Sequence, residues 1–199
     1  MNKQILAPGI VLYKTDLSKV NSILSNLEST IDYRWNLAKG VNTDTHENEI
    51  SSARKCYDFA IERSILSGNE DNLKDLYSKT DSWISECVED YVKMYSIEKV
   101  EEGPYIFLKY EDSDKFDWHI DDGKKYPRTV SVSAYLNDDY DGGLIEFNHF
   151  GISHKPAAGD IVVFSASFPY MHRVTPTTNG VRYAVVNWYR YQGYPSVME

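Results

Sequence analysis

Residues 128–147 read RTVSVSAYLNDDYDGGLIEF, and this stretch indicates a fold built from β-strands. Between Thr129 and Leu136, apolar side chains occupy every second position. A period of two is typical of a strand, because successive side chains point to opposite faces. The run Asp141-Gly142-Gly143 then predicts a turn, and an apolar segment follows it. The stretch therefore predicts one strand, one tight turn and a second strand.

The two faces of the first strand differ in chemistry. One face carries Val130, Val132, Ala134 and Leu136, and the other carries Thr129, Ser131, Ser133 and Tyr135. A row of hydroxyls makes a poor apolar core, so two interpretations stay open. The face is either exposed to solvent, as is common in antiparallel sheets, or it lines a cavity that takes a polar acid.

The same pattern continues on both sides of this stretch. Strands are predicted over residues 105–110, 117–121, 129–136, 144–147, 151–154, 161–165, 170–174 and 181–189. Turn signals such as Asp122-Gly123, Gly159-Asp160 and Asn179-Gly180 separate them. Short strands at this regular spacing favour a double-sheet jelly roll or a small barrel.

The first hundred residues are predicted to be mainly helical. A strand over residues 10–13 precedes a helix that Asp16 caps and that ends near residue 29, and a second helix covers residues 81–95. Residues 33–70 are polar, with a short helix near 52–66, and form either a solvated surface or a mobile flap over a site. We expect a mainly β fold with the helices packed on one sheet, as a single domain over residues 1–199. In it, residues 1–102 supply mostly helical support, and residues 103–190 carry most of the predicted strands.

Composition excludes several classes of function. The 199 residues include 21 basic and 30 acidic side chains, for a formal net charge of −9. This charge disfavours nucleic acid and anionic membranes as partners. The sequence contains no apolar run of the ~18–20 residues that a membrane span needs, and its first residues do not read as a secretory signal. A cytoplasmic location is the expectation, and Cys56 and Cys87 are expected to be reduced thiols.

Three side chains suggest a metal site. His119 and Asp121 are two apart in a predicted strand and so point to one face, and His172 lies on a later strand. Two imidazoles and one carboxylate on one face of an ion are the ligand set of non-haem Fe(II) oxygenases, whereas structural zinc sites usually use four ligands with cysteine. The remaining histidines, His46, His149 and His154, are interpreted as surface or hydrogen-bonded imidazoles.

Arg182 lies ten residues after His172 and shares a strand face with Ala184, Val186 and Trp188. A guanidinium inside a barrel is costly unless it meets an anion. That anion is either a ligand carboxylate held by the planar fork of the guanidinium or an internal acidic side chain, and the spacing leaves both open.

Together these residues resemble a known family. The matching positions are Tyr110, His119-x-Asp121, Arg128-Thr129, Tyr135-Leu136-Asn137, Gly142-Gly143-x-x-x-Phe147, Pro156-x-x-Gly159-Asp160-x-x-x-Phe164, His172-x-Val174, Arg182-Tyr183-Ala184 and Trp188-Tyr189. They resemble the catalytic domain of prolyl 4-hydroxylases, which are 2-oxoglutarate- and Fe(II)-dependent dioxygenases. The hypoxia-inducible-factor type is the most similar, and the resemblance covers about residues 103–190.

The resemblance implies a double-stranded β-helix, or jelly roll, in which residues 103–190 are the catalytic part and residues 1–102 supply mostly helical support and substrate loops. It also implies a role for each matching residue. It implies iron ligation by His119, Asp121 and His172, and binding of the distal carboxylate of 2-oxoglutarate by Arg182. These four residues form the expected catalytic set. Tyr110 and Tyr135 are expected to hydrogen-bond the cosubstrate, while Arg128 and Trp188 are expected to line the peptide-substrate site.

The activity implied is hydroxylation of a prolyl residue in a protein or peptide, with release of succinate and CO2. Fe(II), 2-oxoglutarate and O2 are the implied cofactor and substrates, and ascorbate is the implied reductant. Two other hypotheses stay open. The substrate is a free amino acid or another small molecule, or the chain is a non-catalytic jelly-roll module whose histidines are structural or bind zinc.

Overall fold

The computed structural model describes residues 2–30, 34–41, 48–124 and 127–193. Its helices are α1 (Leu17–Thr30) and α2 (Asp71–Met94), with short 3-10 helices at Arg63–Ser67 and Asn148–Phe150. Its strands are β1 (Asn2–Ala7), β2 (Ile10–Lys14), β3 (Asn36–Leu37), β4 (Gly40–Val41), β5 (Asn48–Glu49), β6 (Arg54–Lys55), β7 (Tyr57–Ile61), β8 (Val100–Glu102), β9 (Tyr105–Tyr110), β10 (Lys115–His119), β11 (Val130–Tyr135), β12 (Asp141–Gly142), β13 (Ile145–Phe147), β14 (Ile152–His154), β15 (Asp160–Ser165), β16 (His172–Val174), β17 (Thr177–Thr178) and β18 (Arg182–Tyr191).

Two antiparallel sheets form the body of the fold. The major sheet has nine strands in the order β1-β2-β15-β11-β18-β9-β7-β3, with β8 paired to β18. The minor sheet has five strands in the order β14-β13-β16-β10-β6. Apolar side chains of both sheets meet in one cluster, in which Ile145 and Phe147 of β13 join Phe164 of β15 and Ala184 of β18. The mainly β jelly roll predicted from the sequence is confirmed.

Both helices pack against the other face of the major sheet, as predicted. Their apolar stripes share one core cluster with side chains of β11, among them Val130, Val132 and Ala134. Trp83 of α2 is buried in this cluster, and its indole N–H donates to the Thr15 hydroxyl at 2.7 Å. Helix α1 begins where the sequence predicts, because Asp16 Oδ1 accepts the Ser18 N–H at 2.8 Å. The helical layer therefore covers one face of β11 and leaves its hydroxyl-bearing face toward the minor sheet.

The first hundred residues contain more strands than predicted. Residues 52–66 do not form the predicted helix, since β6 and β7 lie in this segment, a 3-10 helix covers its end, and β7 extends the major sheet beside β9. In β7 the aromatic and apolar residues Tyr57, Phe59 and Ile61 alternate with smaller or polar ones, and this period of two prevails over a short helical pattern. Strand β1 was not predicted, because most of its side chains are exposed and it depends on pairing with β2.

Helix α2 also begins earlier than predicted, at Asp71, and its first turns bury Leu73, Leu76 and Tyr77. No helix of the described residues is long and apolar enough to cross a bilayer. Cys56 and Cys87 are free and buried, in agreement with the expected reduced thiols. His46 lies outside the described residues. A cytoplasmic location stays a prediction from the sequence.

Candidate active site

The two predicted histidine ligands face each other across neighbouring strands of the minor sheet. His119 is the last residue of β10, His172 is the first residue of β16, and the two are direct partners in the antiparallel register. Their ring centroids lie 4.2 Å apart. The sequence analysis expected Asp121 in the same strand as His119, and this expectation is wrong. Strand β10 ends at His119, so Asp121 lies just after it. The carboxylate approaches the two imidazoles from the segment that follows the strand.

The three side chains converge on one point. Nε2 of His119 lies 3.6 Å from Oδ1 of Asp121, and Nε2 of His172 lies 3.7 Å from Oδ2. One ligand atom from each residue lies within 4.8 Å of the other two. Ligands at metal–ligand distances of ~2.0–2.2 Å are separated by about 3–4 Å, so the three atoms fit around a single ion with small side-chain adjustments.

Backbone carbonyls set the tautomers of both imidazoles. Nδ1 of His119 lies 2.8 Å from the carbonyl oxygen of Asp117, and Nδ1 of His172 lies 3.1 Å from that of Tyr170. Because a carbonyl oxygen can only accept, each Nδ1 carries the proton and each Nε2 offers a lone pair. Burial and the neighbouring His172 lower the pKa of His119 below its ordinary value. Both rings are therefore prepared to ligate a cation.

Asp121 is held by groups from the following strand and from the loop before it. The Ser131 hydroxyl donates to Oδ2 at 2.7 Å, and Nη1 of Arg128 donates to the backbone carbonyl of Asp121 at 3.2 Å. Burial opposes ionisation of Asp121, but the imidazoles, the Arg128 guanidinium and the Ser131 hydrogen bond together lower its pKa below the ordinary value. An ionised, oriented carboxylate is what a metal ligand requires.

The ligand cluster opens into a cleft with about 450 Å³ of space, which includes solvent at its mouth. Strands of both sheets contribute to its wall. Its wall consists of Arg54, Leu108, Tyr110, Phe116, His119, Asp121, Val132, Ser133, Ile145, Phe164, His172, Val174, Arg182, Val186 and Trp188. Most of these side chains are apolar or aromatic, whereas the charged ones are confined to Asp121, Arg54 and Arg182. Such a mixture is typical of a small-molecule site.

Arg182 is 1% exposed and lies opposite Tyr110 in the register of β18 and β9. Its Cζ is 4.6 Å from the Tyr110 ring centroid and 5.1 Å from that of Tyr135. Its Nε and Nη1 are buried without a hydrogen-bond partner, and no carboxylate of the described residues lies within 4.0 Å of the guanidinium. The internal salt bridge considered above is therefore absent from the described part of the chain, which leaves a ligand anion as the other alternative.

Tyrosine hydroxyls surround this guanidinium. Burial raises the pKa of Tyr110, Tyr135 and Tyr140, so all three phenols stay protonated and can donate. The hydroxyls of Tyr135 and Tyr140 are buried and lack a hydrogen-bond partner among the described residues. An anion beside Arg182 satisfies these orphaned donors together with the guanidinium.

Gly143 leaves the room that this arrangement needs. Its φ is +59°, and a Cβ at this position meets Cε2 of Tyr140 at 2.7 Å and Cδ of Arg182 at 2.9 Å. Nζ of Lys155 lies 3.3 Å from the centroid of the Tyr140 ring and donates to the Tyr140 carbonyl at 2.7 Å. The ring of Tyr140 is thereby fixed next to Arg182.

Arg128 and Trp188 contact each other, and Trp188 also lines the cleft. The guanidinium carbon of Arg128 lies 3.7 Å from the centroid of the Trp188 ring, and Nη1 lies 3.9 Å from Oδ1 of Asp121. The structure thus places both predicted substrate residues at the edge of the ligand cluster. Their contact with each other does not follow from their positions in the sequence.

Several site residues were missed by the sequence analysis as contributors to this site. Tyr140 was missed because it lies in a predicted turn, and Arg54 because it lies in a segment predicted as a polar helix. Ser131 was included in the hydroxyl face, and its burial decides between the two interpretations of that face. The hydroxyls line the interior. The alternation alone had shown which side chains share a face, but not what that face meets.

Residues 105–190 match the family model of the 2OG-Fe(II) oxygenase superfamily. A PKHD-type hydroxylase of Paraburkholderia xenovorans is 38% identical over 96 residues, which are 43% of this chain and 41% of that protein. A PKHD-type hydroxylase of Pseudomonas putida is 34% identical over 97 residues, which are 43% of this chain and 42% of that protein. The chain spans about two fifths of the length of the curated relatives it matches.

Solved structures agree over most of the chain. A prolyl-4-hydroxylase from Pseudomonas putida has a TM-score of 0.67 at 19% identity and covers 93% of this chain and 94% of its own. A prolyl hydroxylase from Trichoplax adhaerens, in complex with a hypoxia inducible factor oxygen degradation domain peptide, has a TM-score of 0.70 at 18% identity, with coverage of 92% and 83%. At this identity the likeness shows the fold. The resemblance predicted from the sequence is confirmed.

Proposed function

Taking residues 105–190 as a domain of the 2OG-Fe(II) oxygenase superfamily, we propose that the protein hydroxylates a prolyl residue in a protein or peptide. The reaction consumes 2-oxoglutarate and O2 and releases succinate and CO2, with ascorbate as the reductant that keeps the metal active. The observation that carries the proposal is one cleft in which a His–Asp–His cluster faces a buried guanidinium with unpaired N–H groups.

His119, Asp121 and His172 would hold Fe(II) through Nε2, a carboxylate oxygen and Nε2. The donor set fits this ion, because two neutral imidazoles and one carboxylate on a single face suit a non-haem iron site with open positions. Fe(II) supplies the activation of O2 that couples decarboxylation of the keto acid to C–H hydroxylation. The protein residues supply orientation, since each ligand is itself held by a carbonyl or a hydroxyl.

Arg182 binds the distal carboxylate of 2-oxoglutarate, and Tyr135 and Tyr110 hydrogen-bond the cosubstrate. Tyr140 adds a further hydroxyl beside Arg182. The unpaired donors of Arg182, Tyr135 and Tyr140 support this assignment, because buried donors in native proteins are nearly always satisfied. A cosubstrate held by Arg182 would reach from the guanidinium toward His119, Asp121 and His172, the residues that would hold the metal.

The wall of the cleft protects the reacting atoms from water. Phe116 stacks on the His119 ring at a centroid distance of 3.6 Å, and Phe164 contacts the His172 ring edge-on at 4.7 Å. These aromatic contacts hold both imidazoles and exclude solvent from one side of the cluster. We expect the peptide to pass Arg128 and Trp188, which are partly exposed and contact each other.

Mass spectrometry of proline-containing peptides tests this function. The peptides are incubated with the protein, Fe(II), ascorbate and 2-oxoglutarate, and succinate is measured in parallel. We expect a product heavier by one oxygen atom and an equal amount of succinate. Cosubstrate-independent peptide oxidation contradicts the proposed reaction. Tightly bound zinc with no effect of 2-oxoglutarate contradicts it too and supports a non-catalytic module.

A further inference from the structure

A second arginine, Arg54 of β6, lines the same cleft as Arg182. In the register of the minor sheet it pairs with Phe116 of β10. Its guanidinium carbon lies 5.0 Å from the centroid of the Phe116 ring, whose other neighbour is His119. The guanidinium is therefore one aromatic ring away from the metal-ligand cluster.

The partners of Arg54 account for only part of its hydrogen-bonding capacity. Nη1 donates to the carbonyl of Lys39 at 2.8 Å, and Nη2 lies 3.7 Å from Oδ2 of Asp58. Nε is buried and has no hydrogen-bond partner among the described residues. The two anchors hold the guanidinium plane next to the Cys56 thiol, and the Nε–H is left without an acceptor among the described residues.

Two arginines of the described chain share this feature, a buried N–H group without a hydrogen-bond partner. Among the described residues, the buried side-chain nitrogens without a partner belong to Arg54 and Arg182 alone, and both side chains line the cleft. Under the proposed function, Arg182 takes the distal carboxylate of 2-oxoglutarate and the metal takes the other end. Both carboxylates of the cosubstrate are then engaged, so the Arg54 N–H needs an acceptor from another molecule.

The charge of the cleft indicates what that acceptor carries. Its wall contains two guanidinium groups and one carboxylate, from Arg54, Arg182 and Asp121. The charge of bound Fe(II) would be balanced by that of the cosubstrate dianion. Outside the wall, the negative charge of Asp58, which lies next to Arg54, is balanced by the positive charge of Arg128, which lies next to Asp121. One positive charge remains in a largely apolar cleft, and such a charge favours a monoanionic substrate group.

We propose that Arg54 is a specificity-determining residue that binds a carboxylate of the prime substrate. This inference rests on the proposed function and adds the chemical class of the substrate to it. The carboxylate has two possible sources, an acidic residue next to the target proline of a peptide or the α-carboxylate of a free amino acid. Both present the same oxygen acceptor to the Nε–H of Arg54.

Equilibrium binding to the protein loaded with Mn(II) and 2-oxoglutarate tests the proposal without turnover. Two acid–amide pairs are used as probes. The first pair is Ac-Ala-Pro-Asp-Ala-NH2 and Ac-Ala-Pro-Asn-Ala-NH2, and the second is L-proline and L-prolinamide. Because hydrogen bonds to charged groups are strong, we expect the acid of one pair to bind about 10- to 100-fold more tightly than its amide. The pair that shows the preference identifies the source of the carboxylate.

Variants of Arg54 connect this preference to the residue. We expect Arg54→Gln to abolish the acid preference and Arg54→Lys, which keeps the charge without the planar fork, to retain part of it. Arg63→Gln is the matched control, because Arg63 is exposed and pairs with Glu102 away from the cleft. Affinity for 2-oxoglutarate is expected to stay within about twofold in Arg54→Gln, as for separate sites.

Three results overturn the inference. They are the absence of an acid preference in the unmodified protein, an acid preference that Arg54→Gln leaves intact, and a loss of 2-oxoglutarate affinity in Arg54→Gln as large as in Arg182→Gln. The last result assigns Arg54 to the cosubstrate. Failure of the unmodified protein to bind 2-oxoglutarate is a different outcome, because it removes the proposed function itself.

Discussion

The hydroxyl of Ser131 donates a 2.7 Å hydrogen bond to Oδ2 of Asp121. This oxygen also lies 3.7 Å from Nε2 of His172, while Oδ1 is directed to His119. One short bond from the neighbouring β11 thus sets the rotation of the carboxylate in the ligand cluster. Mutation of a group that orients a metal ligand in this way typically lowers metal affinity or activity about 10- to 100-fold.

We predict that Ser131→Ala lowers metal affinity about 10- to 100-fold, because Asp121 loses the bond that orients it. Anaerobic titration with Fe(II) or Mn(II) measures the change. Ser153→Ala is the control, since the Ser153 hydroxyl donates to Glu146 on an exposed part of the minor sheet. Equal metal affinities in the Ser131 variant and the unmodified protein contradict the positioning role.

Removal of a ligand is expected to be more severe. Asp121→Ala and His172→Ala each leave two ligands, so we predict loss of 2-oxoglutarate-dependent succinate release. His149→Ala removes an exposed imidazole outside the cluster and is expected to behave like the unmodified protein. Succinate assays with added Fe(II) compare the three variants. Turnover in Asp121→Ala at the unmodified level rules out the metal assignment.

The tyrosine hydroxyls next to Arg182 predict graded effects on the cosubstrate. Arg182→Ala is expected to raise the 2-oxoglutarate concentration that turnover requires. Tyr140→Phe is expected to weaken 2-oxoglutarate binding about tenfold, because one hydrogen bond to a carboxylate is lost while the ring stays. Tyr189→Phe is the matched control, since this buried hydroxyl also lacks a partner but lies in the helix-facing core. Similar binding by both Phe variants contradicts a cosubstrate role for Tyr140.

Alanine substitutions at Gly143 and Gly151 distinguish the energetic cost of backbone strain from that of side-chain crowding. Both have φ near +60°, but a Cβ at Gly143 meets Tyr140 and Arg182 whereas a Cβ at Gly151 meets nothing within 4 Å. We predict that Gly151→Ala costs about 1 kcal/mol of unfolding free energy, from strain alone. Gly143→Ala is expected to cost about 1–3 kcal/mol more, from overpacking. Urea unfolding measures both, and equal losses contradict the crowding.

Arg128 is predicted to affect the peptide more than the uncoupled reaction. Arg128→Ala removes the guanidinium that lies against the Trp188 ring, and Trp188 lines the cleft. We therefore expect weaker peptide binding and a smaller change in peptide-independent 2-oxoglutarate turnover. Peptide affinity and succinate release are measured on the same variant. Equal losses in both assays argue against a substrate role for Arg128.

Local patterns in the chain were enough to predict much of this architecture. The alternation through residues 129–136 and the turn at Asp141-Gly142-Gly143 depend on side-chain direction and turn chemistry, which neighbouring residues decide. The spacing of His119 and Asp121, with His172 and Arg182 further along, was sufficient to nominate the ligands and the anion-binding residue. Local signals failed where pairing prevails, as in β1, β6 and β7.

By itself, then, the sequence determined the strand character of residues 103–190, the faces of β11 and the identity of the candidate ligands. Only the tertiary structure decided that Ser131 holds Asp121, that Arg128 stacks on Trp188, and that Arg54 shares a cleft with Arg182. The physical reason is that these contacts join segments far apart in the chain. Their geometry follows from the register between strands and from the packing of two sheets, neither of which a period of two specifies.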